Sequence, residues 1–185
     1  MKITPSWKDV EGKGLTDIGW ALQYEGSIES EEEIEIEIGS RWLKLSGSLK
    51  SQQFITAGGG ITAGGGIEAG GGIEAGWFIT AGGGIEAGCG ITAGGFIKAG
   101  EGIEAGGGIT AGRGIEAGLS IRCKKVIKWS FDLFAGTAVW KKPTDEECMI
   151  EAGELQGGEV KYGIVKLLHK MEMRPAIYRK GEEER

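Results

Sequence analysis

Residues 55–118 read ITAGGG ITAGGG IEAGGG IEAGWF ITAGGG IEAGCG ITAGGF IKAGEG IEAGGG ITAGRG IEAG, so that Ile-x-Ala-Gly recurs eleven times without a break. The same frame carries Leu43 and Leu49 before this stretch, and Ile121, Ile127, Leu133 and Val139 after it. A period of six matches neither the 3.6 of a helix nor a heptad. It matches a three-residue strand and a corner: isoleucine inward, the next residue outward, alanine inward, and glycine turning the chain. Three units make one coil, so the expected fold is all-β, a triangular β-solenoid (β-helix) with 18-residue coils. Its isoleucines stack in three internal columns while each strand pairs with the coils on either side. Rungs in phase from Leu43 to Val139 give five to six coils, about 27 Å at ~4.8 Å per coil.

The flanks read as β-rich caps for the open ends of this rod. Residues 1–42 hold Trp20, Leu22 and Tyr24 on one face, then Ile34, Ile36 and Ile38 interleaved with Glu33, Glu35 and Glu37. Such alternation marks strands with one wet face. The organisation expected is therefore an N-terminal cap over 1–42, the repeat solenoid over 43–140, and a C-terminal cap and tail over 141–185.

The composition excludes several alternatives. Glycine supplies 37 of 185 residues but proline only three, which is incompatible with collagen. No apolar run approaches the ~18 residues of a membrane helix, and the N-terminus lacks an apolar signal core. A cytoplasmic location in a bacterial cell, away from membranes, is the expectation. Cys89, Cys123 and Cys148 lack paired or metal-type spacing. The net charge of −6 is uneven. Residues 1–42 carry four basic and ten acidic side chains, whereas 122–142 set Arg122, Lys124, Lys125, Lys128, Lys141 and Lys142 against Asp132 alone. That basic band, and Arg122, Lys124, Lys125 and Lys128 in particular, is a candidate for direct contact with nucleic acid.

An 18-residue coil also dictates which outward side chains become neighbours. Glu68, Glu86 and Glu104 stack and end on Arg122; Thr56, Glu74, Thr92 and Thr110 form a second column, and Thr62, Thr80, Lys98 and Glu116 a third. Carboxylates one rung apart repel. Three readings of the Glu column stay open: a solvated face that resists aggregation, a stripe for a basic protein surface, and a cation site. The protein-binding stripe is carried forward, with Glu33, Glu35 and Glu37 as a second acidic set, and no metal or cofactor is assigned. The threonine columns are too broken for a flat ice-binding array. Trp77, Phe78 and Phe96 stand where glycine otherwise holds the position, and Phe78 and Phe96 are 18 apart, so they should stack. Either they form an interface or a flanking segment folds over them. Trp42, Trp129 and Trp140 are expected to pack the ends.

No catalytic residue is assigned. His169 is the single histidine, in an apolar Leu-Leu-His-Lys-Met context. Hydrolase, zinc-protease and nucleotide-binding motifs are missing. The glycine runs open no helix, as a phosphate cradle must. Acyl transfer, which other hexapeptide solenoids perform, would lack a general base in the coils. The expectation is a protein that is not an enzyme.

The Ile-Glu/Thr/Lys-Ala-Gly-Gly-Gly hexapeptide over 55–118 resembles a group of small bacterial and phage repeat proteins with β-solenoid folds. Small acidic proteins of phage and mobile elements include anti-CRISPR proteins. That resemblance implies an inhibitor docking on the nucleic-acid-binding surface of a partner such as a Cas nuclease, and it supplies no residue motif. Bactofilin-type cytoskeletal proteins are similar in being small β-helices with short flanks, which implies the alternative of a self-assembling scaffold. A defined oligomer is compatible with the binder, open-ended polymers with the scaffold.

Overall fold

The computed structural model describes residues 1–9 and 11–168; His169 and the rest of the tail lie outside the described residues. The chain is a β-solenoid of 18-residue coils. Ile67, Glu68 and Ala69 pair in parallel with Ile85, Glu86 and Ala87, those with Ile103, Glu104 and Ala105, and those with Ile121, Arg122 and Cys123. The other two faces repeat this register, through Ile55, Ile73, Ile91 and Ile109 on the first and Ile61, Ile79, Ile97 and Ile115 on the second. The only helical element described is the short 3-10 turn Glu146–Cys148.

Inward isoleucines make the core. From Ile55 to Ile121 each is at most 1% exposed, and the alanine two residues on (Cys123 after Ile121) is buried with it. Burying each isoleucine contributes about 1.5–3 kcal/mol. Hydrogen bonds tie coil to coil even at the corners, as from Gly82 N to Ala63 O at 2.9 Å and from Ile67 N to Gly84 O at 3.0 Å.

The ladder runs further than the 43–140 frame in both directions. Ala21–Tyr24, Ile28–Ser30 and Ile34–Ile36 join it in parallel, so most of 1–42 that was expected to cap the rod is solenoid. These early coils are longer: Ile28 pairs with Leu49, 21 residues on, because the corner at Glu37–Arg41 is wider and turns through Gly39 at φ 70°. Lys2–Ile3 adds one more parallel rung to the first face beside Ile34–Ile36, and the segment from Thr4 to Trp20 does the covering. Thr16–Asp17 returns antiparallel to Ala21–Tyr24, and Trp7 meets the Tyr24 ring edge-on at 5.3 Å. The Tyr24 hydroxyl donates to Asp9 Oδ2 at 2.5 Å.

At the other end the six-residue phase stops at Leu133. Val139, expected inside, is 99% exposed, and Trp140 is 60% exposed. Gly136, at φ 83°, leads the chain out into a loop, and the third face resumes at Ile150, which pairs with Ile121. Val126–Ala135 runs straight through the corner between the first and second faces and pairs with Glu154–Tyr162 along much of its length. Among the described residues the third face runs to Ile164–Leu167 and holds eight strands, about 34 Å of rod rather than 27.

One expectation about mechanism is corrected. No glycine between 55 and 118 has a positive φ, so none is there for a left-handed turn. From Gly64 to Gly118 the glycine after each alanine is needed because a Cβ would strike the preceding coil; Gly58, beside the wider early corner, has room. At Gly82, Gly88 and Gly94 it would lie 2.0–2.1 Å from a backbone carbonyl oxygen.

Candidate functional site

The third face carries the most charged column of the rod. Its outward residues, in register order, are Glu29, Lys50, Glu68, Glu86, Glu104, Arg122, Glu151 and Lys166. They flank an open groove of about 1020 Å³ that runs along the rod, floored by alanines and glycines. The expected stacking of Glu68, Glu86 and Glu104 is present. Lys50, one rung before Glu68, lies 2.9 Å from its carboxylate, which holds the Lys50 ammonium above its usual range. Lys50 is 18 residues before Glu68, so phase alone could have identified it. Lys166 pairs with Glu151 at 3.1 Å. Glu86 and Glu104 form no ion pair among the described residues. The carboxylates make a line rather than a cluster: among the described residues no three acidic, cysteine or histidine side chains converge as metal ligands would.

The second acidic set is elsewhere. Glu35 points outward on the first face, and Lys2 bridges it and Glu37 at 3.1 and 2.9 Å. Those contacts hold the Glu37 carboxyl low and the Lys2 ammonium high. The Glu33 carbonyl accepts the Met1 amino group. The basic band is divided as well: Arg122 and Lys124 border the acidic groove, whereas Lys128 pairs beside Thr110 on the first face. Arg122, Lys124, Lys125 and Lys128 therefore share an end of the rod but not one face.

The edge opposite the charged face bears an aromatic ridge. Phe78 and Phe96 stack at 5.3 Å with their planes 6° apart, as the 18-residue spacing requires. Trp42 sits against Phe78 at 5.1 Å and Trp77 at 6.4 Å, and Trp20 lies 4.6 Å from Trp42. The 1–42 segment thus contributes to the ridge without burying it: Trp20, Trp77 and Phe96 remain 40–53% exposed. Trp42 is an outward ridge residue, not an end plug. It was legible, since 42, 60, 78 and 96 share one phase. Trp20 was not, because the longer early coils shift it. Trp129 does pack the core, 4% exposed, with its indole N–H unpartnered among the described residues.

No protein-family model matches the chain, and no curated protein or solved structure matches it either.

Proposed function

We propose that this protein is a non-catalytic binding protein whose third face docks on a basic, nucleic-acid-handling surface of a partner protein and blocks it. The observation carrying this reading is the in-register line of Glu68, Glu86 and Glu104, of which the last two lack an ion-pair partner among the described residues. Repulsion along that line costs stability, and a lysine- and arginine-lined groove relieves it on binding. A straight rod with carboxylates at ~4.8 Å intervals competes with a phosphate backbone for such a groove. The resemblance of the repeat adds a CRISPR–Cas nuclease as the target class. A self-assembling scaffold is less well supported, since Thr16–Asp17 lies antiparallel on the second face's first rung and interrupts parallel stacking there.

The test is to titrate the purified protein into individual Cas nucleases and follow target DNA binding and cleavage. Inhibition is expected to weaken at least tenfold in Glu86→Lys/Glu104→Lys, mainly through a slower on-rate at low salt, since two reversals change the charge of the stripe by four units. Inhibition unchanged by that reversal, or no inhibition of any nuclease, overturns the reading.

A further inference from the structure

The ridge has a pattern that the proposed partner does not use. One outward column along it consists of Trp42, Gly60, Phe78, Phe96 and Gly114, each tied to the next by the ladder. Leu43 N bonds to Gly60 O, Ile61 N to Phe78 O, Ile79 N to Phe96 O, and Ile97 N to Gly114 O. In size it reads large, small, large, large, small. Read backwards it is small, large, large, small, large. Laid antiparallel on itself and centred on Phe78, it sets Trp42 against Gly114 and Phe96 against Gly60, with only Phe78 meeting its own kind.

The neighbouring outward column on the second face behaves the same way. It holds Lys44, Thr62, Thr80, Lys98 and Glu116. Reversal sets Lys44 opposite Glu116, Thr62 opposite Lys98, and Thr80 opposite itself. Lys44 forms no ion pair among the described residues and stands 6.0 Å from the Trp20 ring, while Glu116 is held by its own Lys98 at 3.0 Å and accepts from the Thr137 hydroxyl at 3.5 Å on its other oxygen.

The surface relief follows the size pattern at the Gly114 end of the column and departs from it at Gly60, where the Phe78 ring fills the gap. At Gly114 the rod has a notch of about 220 Å³, walled by Phe96, Phe131 and Phe134 and rimmed by Lys98, Glu116 and Asp132. Gly114 has no room for a side chain, because a Cβ there would lie 2.8 Å from the Asp132 carbonyl. Across the centre, the Phe78 ring lies over Gly60, so the surface that Phe96 would meet is aromatic. Exposed aromatics of this density mark an interface.

We propose that the ridge is the contact between two copies of this chain, related by a two-fold axis at Trp77 and Phe78 and running antiparallel. A two-fold contact must be self-complementary, as the ends of both columns are (Trp42 with the Gly114 notch, Lys44 with Glu116), and it closes at two copies. The third face lies on the far side of the rod, so the pair presents its two Glu lines outward in opposite directions. A two-headed binder gains avidity on a partner that is itself repeated or dimeric.

Sedimentation equilibrium and light scattering of the full chain test this directly. The parent is expected to be a dimer. Trp77→Glu places two like charges at the axis and should raise the dissociation constant about a hundredfold or more. Lys44→Glu should raise it about tenfold, and adding Glu116→Lys should recover most of that loss, which a merely structural effect would not do. Circular dichroism confirms that the variants keep the β-solenoid. A parent monomeric at every concentration overturns the proposal. So does a dimer indifferent to Trp77→Glu, or a charge swap that fails to restore. Nuclease inhibition is read separately, so this contact and the proposed function can fail independently.

Discussion

Replacing a single glycine by alanine should have very unequal consequences two residues apart. In Gly82→Ala the new Cβ would lie 2.1 Å from the Gly64 carbonyl oxygen, against an ordinary contact of 3.4 Å or more. Relief requires the two coils to part by about 1.3 Å at that corner. The bonds from Gly82 N to Ala63 O, 2.9 Å, and from Gly83 N to Gly65 O, 3.0 Å, would then stretch past any useful length. Losing both costs about 1 kcal/mol each, and loosening of the isoleucine stack beside them adds a similar amount, so a loss of about 2–4 kcal/mol is expected. In Gly84→Ala the nearest atom is the Gly102 oxygen at 3.3 Å, which a small shift accommodates. Neither glycine has a positive φ, so alanine also lowers the entropy of the unfolded chain by up to about 1 kcal/mol. Gly84→Ala should therefore be within about 1 kcal/mol of the parent. Equilibrium urea unfolding followed by circular dichroism measures both. If Gly82→Ala proves as stable as Gly84→Ala, inter-coil crowding is not why glycine follows each alanine.

Two further outcomes follow from the ends of the rod. The Tyr24 hydroxyl, helped by the backbone N–H groups of Lys13 and Glu11, holds the Asp9 carboxyl below its usual range. A depressed carboxyl stabilises the fold above its unfolded pKa of about 4 and loses that contribution as pH falls through the folded value. In a pH series of urea unfolding, the gap between parent and Asp9→Asn should be full at pH 6 and close below pH 4; a gap constant to pH 3 would refute this. At the other end, Trp129→Phe removes an unpartnered buried donor and should change stability by no more than about 1 kcal/mol, whereas Trp129→Ala should cost about 3–5 kcal/mol. An equal loss in both would mean that the indole N–H has a partner after all.

The repeat made coil length, inward and outward faces, and the neighbours within 55–118 legible from spacing alone, because side chains alternate along a strand and an 18-residue coil returns each position to the same face. The Glu68–Glu86–Glu104 line and the Phe78–Phe96 stack needed nothing more. What lay beyond the repeat depended on chain length between rungs, which composition does not encode. Three extra residues near Gly39 carry Trp20 onto the ridge, and the loop after Gly136 leaves Val139 in solvent while Ile150 takes the next inward place. The role of glycine also needed the third dimension. Its abundance reads locally as turning freedom, yet within 55–118 no glycine has a positive φ, and the demand comes from a carbonyl one coil away, 18 residues distant in sequence. Local sequence set the period; contact between successive coils decided which residues that period could tolerate.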